Sequence, residues 1–131
     1  MASSSTSTTS TLNTMTTPSP TTLTPIHHLI TINLTRDNYL LWKAQIVPYL
    51  KGQHLYGYID GSTPAPPQSL TVETDGDIQV IQNPDFSHWY FQDQMILSAI
   101  ITSLSERILA HVVKFNTSRD VWQALERMFT S

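Results

Sequence analysis

"NPDFSHWYFQDQMILSAIITSL", residues 83–104, is the longest stretch of the chain with one periodicity. Phe86, Trp89, Leu97, Ile100 and Leu104 recur at helical spacing, and Met95, Ile96 and Ile101 widen the stripe. An apolar stripe of that width reads as a helix facing a core. Asp85 is the expected N-cap, because a short acceptor side chain can take up a free amide of the first turn. Asp93 lies one turn beyond Trp89, on the same side. A carboxylate at the edge of a core stripe calls for a partner, which is expected to be a helix N-terminus or Arg107, the nearest base in sequence.

C-terminal to this stretch, Ser103-Leu104-Ser105-Glu106 has the Ser-x-x-Glu form of a capping box. It predicts a break and a new helix carrying Ile108, Leu109, Val112 and Val113. Thr117-Ser118-Arg119-Asp120 is a weaker box that opens a last helix with Val121, Trp122, Leu125, Met128 and Phe129. On the N-terminal side, "LTRDNYLLWKAQIVPYL" (34–50) places Tyr39, Trp42, Ile46, Tyr49 and Leu50 on one helical face. Thr35 is the expected cap, with Asp37 in the first turn. Pro48 removes the bond to Ala44 and predicts a kink near 44–48 or an early end. A further turn carries Leu55, Tyr56 and Ile59. Residues 60–84 read as a loop insertion in which "TVETDGDIQV" holds an Asp75-Gly76 pair between β-formers, the signal of a short, exposed hairpin. Ahead of the first helix, residues 24–35 form an apolar arm, with Ile26, Leu29, Ile30, Ile32 and Leu34 available to pack on the domain.

The expected fold class is therefore all-α: a small helical bundle over residues 26–131, with a loop or short hairpin insertion at 60–84. Residues 1–25 hold 16 Ser or Thr and three Pro and almost no large apolar side chain, so they are expected to form a disordered tail. The three Trp residues, 42, 89 and 122, fall one per major helix on the apolar stripes and are expected in the core.

Composition narrows the function classes. The 131 residues contain no cysteine, which removes thiol nucleophiles, disulfides and Cys-ligated metal. The net charge is −3, and residues 52–104 carry six acids and no Lys or Arg, so no basic stripe tracks a phosphate backbone. No apolar run is long enough for a membrane helix. No Gly-x-Ser-x-Gly elbow, His-Glu-x-x-His pair or Gly-rich phosphate loop occurs. The expectations are no catalytic residue, no cofactor, no metal and no small-molecule substrate.

Three fragments in this order, "LTRDNYLLWKAQIVPYLKGQHLYGYIDGS", "NPDFSHWYFQDQMILSAIITSLSERILAHVV" and "TSRDVWQALERMF", resemble the N-terminal region of the Gag polyprotein of copia-type LTR retrotransposons, in particular those of plants. The positions that carry the resemblance are Leu34, Thr35, Asn38, Tyr39, Trp42, Leu50, Asp60-Gly61, Trp89, Asp93, Ser103, Leu104, Thr117, Trp122 and Leu125. It implies a capsid-like helical domain that works by protein–protein assembly of an RNA-packaging particle in the cytoplasm. The implied partners are further Gag copies. RNA is engaged only indirectly, because the family's zinc knuckle is not in this sequence. On that basis the chain is expected to be a fragment or relic of a longer polyprotein. A host adaptor module with an exposed apolar face is the alternative, and a helical DNA-binding domain is disfavoured by charge.

Overall fold

The computed structural model describes residues 30–130. The expected tail at 1–25, and Ile26 and Leu29 of the arm, lie outside the described residues. Five helices and one hairpin follow in order: α1 (Tyr39–Gly52), α2 (Gly57–Asp60), β1 (Ser69–Thr74), β2 (Asp77–Gln82), α3 (Pro84–Thr102), α4 (Glu106–Val112) and α5 (Ser118–Thr130). No described helix is long and apolar enough to cross a membrane.

The all-α assignment is corrected by the hairpin. β1 and β2 are six residues each and pair antiparallel from Ser69↔Gln82 to Thr74↔Asp77, making a complete two-stranded sheet in a mixed α/β chain. Asp75 (φ 53°) and Gly76 (φ 85°) are both left-handed, as a two-residue turn that matches strand twist requires. The strands extend two residues further on each side than the β-formers nearest the turn suggested. Asn83 anchors their base, its amide N–H bonding the Gln68 carbonyl and its side-chain nitrogen the Pro67 carbonyl.

The core is one cluster built from the inward faces of the helices. α1 contributes Tyr39, Trp42, Ile46 and Leu50, and α3 contributes Ile96, Leu97, Ala99 and Ile100. α4 adds Ile108 and Val112, and α5 adds Val121, Trp122, Ala124 and Leu125. Each fully buried Leu or Ile contributes about 1.5–3 kcal/mol. The arm packs as expected: Ile30 and Leu34 are buried, and Leu34 forms an isolated parallel bridge with Leu104. The Leu34 amide donates to the Ser103 carbonyl at 2.8 Å, and the Ser105 amide donates to the Leu34 carbonyl at 2.9 Å.

Three helix starts differ from the expected caps by two or three residues. α1 is capped at Asn38, not Thr35, and no acid occupies its first turn. The Asn38 side chain instead braces the approach, accepting from the Thr35 amide and donating to the Asn33 carbonyl. α3 is capped by Asn83, whose side chain accepts from the Asp85 amide; Pro84 fills the first position, where no amide bond is needed. α4 is capped by Ser105, and Ser103 serves as the C-cap of α3. Thr117 does take the cap role, accepting from the Asp120 amide at 3.2 Å. Pro48 does not end α1, which continues to Gly52. Pro48 and Ala44 both face outward, so water can satisfy the Ala44 carbonyl that Pro48 leaves without a donor.

Candidate functional site

Among the described residues no three metal-ligating side chains converge. Two polar nodes inside the core and one outward surface hold the side chains that the sequence singled out.

The first node joins α1, α3 and α5. The Trp42 indole N–H donates to Ser103 Oγ at 2.9 Å, and the hydroxyl in turn donates to the Ile100 carbonyl at 2.6 Å. Trp42 packs on Trp122 at 5.5 Å between ring centroids, and Tyr39 stacks on Phe129 at 4.9 Å. Leu34, Leu50, Leu104 and Leu125 are buried in the same cluster. Every polar atom of the indole–hydroxyl pair is spent on holding helices together.

The second node joins α3 to the start of α5. Asp93 is buried, with 1% of its surface exposed, and its two carboxylate oxygens lie 3.3 and 3.4 Å from the Ser118 amide, which donates to them. The Ser118 hydroxyl donates back to the Asp93 main-chain carbonyl at 2.8 Å. Gln94 reaches Asp93 Oδ2 and, at 3.0 Å, the Asn116 carbonyl. A carboxylate at a helix N-terminus meets free amides and the positive end of the helix dipole. Burial nevertheless pushes the Asp93 carboxyl above the ordinary value, and the hydrogen bonds from Ser118 and Gln94 offset part of that rise. The partner is thus the helix N-terminus, while Arg107 lies elsewhere, lining a surface cleft with Arg36 and His111.

Beside Asp93 a cleft of about 270 Å³ is lined by Tyr58, Thr63, Trp89, Arg119 and Asp120 among others. Trp89 is half-buried rather than in the core; its indole N–H donates to the Thr63 carbonyl at 2.9 Å, and its ring stacks with Tyr58 at 5.8 Å. It pins the 60–68 loop onto α3. Gly61 is left-handed (φ 91°), and the Arg119 guanidinium packs so closely that a Cβ there would collide with it. Asp60 accepts from the amide and hydroxyl of Ser62, which holds its carboxyl below the ordinary value. The Asp-Gly pair is a turn pinned from both sides, and the cleft walls are occupied with structural bonds. Ser118 and Thr63 had no sequence signal of their own, though Ser118 follows the Thr117 cap and so was placed at a helix start.

The outward surface is apolar at separated points. Leu40 and Leu41 on α1 are 77% and 61% exposed, and Ile78 and Val80 on β2 are each 71% exposed. Two adjoining clefts of about 310 and 450 Å³ share Arg36 and Phe129; Leu40 and Leu41 line the first, and Arg107 and His111 the second.

The family described as the gag-polypeptide of LTR copia-type matches residues 47–131. Residues across 75% of the chain are 37% identical, over 98 positions, to the retrovirus-related Pol polyprotein from transposon RE2 of Arabidopsis thaliana. The corresponding polyprotein from transposon RE1 of the same plant is 35% identical over 98 positions, again 75% of the chain. The matched segment is 6% of the length of each of these relatives. No solved structure matches the chain significantly.

Proposed function

Because the chain belongs to the copia-type gag-polypeptide family, we propose that it is a non-enzymatic structural domain that contributes protein–protein contacts to assembly of the element's RNA-packaging particle. The observation that carries this is the division of labour between its side chains. The buried polar groups, Asp93, Ser103 and Ser118, bond to the protein's own backbone and indole and tie helices together. The large apolar side chains of Leu40, Leu41, Ile78 and Val80 point to solvent instead. Exposed apolar groups of this size on a small body are a resource for association, since covering each of them returns free energy that the isolated chain forgoes. RNA contact is assigned to other parts of the polyprotein, in keeping with the chain's net charge of −3.

The test is a concentration series of the full chain followed by light scattering and sedimentation velocity. The expected result is reversible growth in mass with concentration. A single monomeric species up to near-millimolar protein would remove the assembly role.

A further inference from the structure

We propose that copies of this chain associate head to tail, the 69–82 hairpin of one copy lying on the outward face of α1 of the next. The proposal rests on the assembly reading above and names the two surfaces that it uses.

Among the described residues no layer covers the hairpin. Every residue of β2 is exposed, and in β1 only Val72 is partly covered. Two-stranded hairpins are marginal in water on their own and normally gain stability from a packed face. The register places Glu73 opposite Ile78 and Thr71 opposite Val80, so these four side chains share one face. Asp75 stands at the tip of the turn. The segment 69–82 has three acids, Glu73, Asp75 and Asp77, and no base.

The outward side of α1 has the opposite character. Leu40, Ala44 and Pro48 are four residues apart and all exposed, with Leu41 beside them. Residues 36–51 hold three bases, Arg36, Lys43 and Lys51, against one acid, Asp37. Lys43 lies 4.0 Å from Glu126 and over the Tyr39 ring, both contacts long enough to leave its ammonium accessible. An apolar strip edged with cations therefore matches an apolar strip edged with anions in both terms. Ile78, Val80 and Leu40 each keep more than two thirds of their surface exposed, so neither strip covers the other within one chain. Two such hairpins face to face would oppose acid to acid, and two α1 faces would oppose base to base. The complementary match is a hairpin on a second copy's α1. That contact is heterologous, and it propagates into a ring or an open array instead of closing as a pair. Its small footprint makes it weak singly, so extended assembly depends on many copies at high local concentration.

The experiment uses the full chain and two surface variants, Ile78→Thr/Val80→Thr and Leu40→Ser/Leu41→Ser. All four positions are exposed, and circular dichroism and melting first establish that both variants stay folded. Glu73→Lys/Asp75→Lys is a second hairpin variant that leaves the apolar residues in place. In sedimentation velocity the parent chain is expected to grow in mass with concentration. Each apolar variant alone is expected to need at least tenfold more protein for the same growth, and the charge variant at least threefold more. The decisive result is the mixture. One variant keeps an intact α1 face and the other an intact hairpin, so equimolar mixing is expected to restore one contact and stop at a dimer. A mixture that stays monomeric while both variants have lost association would mean that the hairpin and the α1 face do not meet, and one variant that associates alone as readily as the parent would mean that like surfaces pair; either result overturns the proposal. Association unaffected by either variant would overturn it too, with the assembly reading left standing. A parent chain that never associates overturns both. Single-stranded RNA that binds at physiological salt and is lost on Arg36→Ala/Lys43→Ala would assign the α1 face to nucleic acid instead, which also overturns it.

Discussion

The Trp42 indole and the Ser103 hydroxyl, 61 residues apart in sequence, meet at 2.9 Å in the buried centre of the domain. Ser103 is the C-cap of α3 and Trp42 the middle of the inner face of α1, so one hydrogen bond fixes the end of one helix against the flank of another. Trp42→Ala should cost about 3–5 kcal/mol, the range for a large buried aromatic. Ser103→Ala leaves the indole N–H without an acceptor and should cost about 1–3 kcal/mol. Urea denaturation of the two variants and the double variant checks both values. Their effects should fall short of additivity, because the second change removes a bond already broken.

Trp89→Ala should be milder, about 1–2 kcal/mol, because the ring is half-buried and holds a loop rather than the core. The expected signature is local. Amide exchange and protease cleavage should rise across residues 60–68 with little change in α1 or α5.

Asp93 gives a pH dependence of determined sign. Burial raises its folded pKa above the unfolded value of 3.8, so the folded state binds the proton more tightly. Its contribution to stability is greatest below the unfolded pKa and declines as pH rises from there through the folded pKa. Asp93→Asn keeps an oxygen that can accept from Ser118 and removes the titration. Denaturation of parent and variant from about pH 3 to pH 7 should show the parent losing stability relative to the variant as pH rises. Asp60, held below its ordinary value, contributes with the opposite sign and is common to both chains, so it cancels in the comparison.

Gly61→Ala should destabilise by about 1–2 kcal/mol, chiefly from the left-handed backbone, because the Arg119 guanidinium is the far end of a flexible side chain and can swing aside. Arg119→Ala clears the collision and leaves the backbone cost. The two effects should therefore be close to additive by thermal melting, because the backbone strain at Gly61 remains whether or not Arg119 is present.

The inner face of α1 was legible because Tyr39, Trp42, Ile46 and Leu50 repeat at helical spacing, and three of these four are fully buried. The helix starts were not. Thr35 and Asp85 have the right chemistry for caps, but Asn38 and Asn83 hold those places, Asn83 through its side-chain acceptor and Asn38 by position alone, because the tertiary approach of the chain decides where each helix begins. Trp89 lies on the same apolar stripe as Leu97, yet the stripe of a 19-residue helix outruns the core, and its first two turns face the 60–68 loop. Asp93 could be marked as needing a partner. Both a helix N-terminus and Arg107 were open as partners, and which of them it is depended on how α5 returns to α3 to bring the Ser118 amide, 25 residues away, onto the carboxylate. The hairpin turn was written in Asp75-Gly76, but its full length was not, since Ser69 and Gln82 become strand only by pairing with each other.

The Leu34–Leu104 bridge bears on synthesis as well as on stability. Leu34, Trp42 and Tyr39 each have a partner beyond residue 102: Leu104 for Leu34, Ser103 and Trp122 for Trp42, and Phe129 for Tyr39. At about 5–20 residues per second on the ribosome, α1 waits several seconds for the chain that completes it. During that interval its apolar inner face and its cationic outer face are both uncovered. The nascent chains most at risk of premature contact are therefore neighbours on one message, and the domain becomes safe only when α5 has emerged and docked.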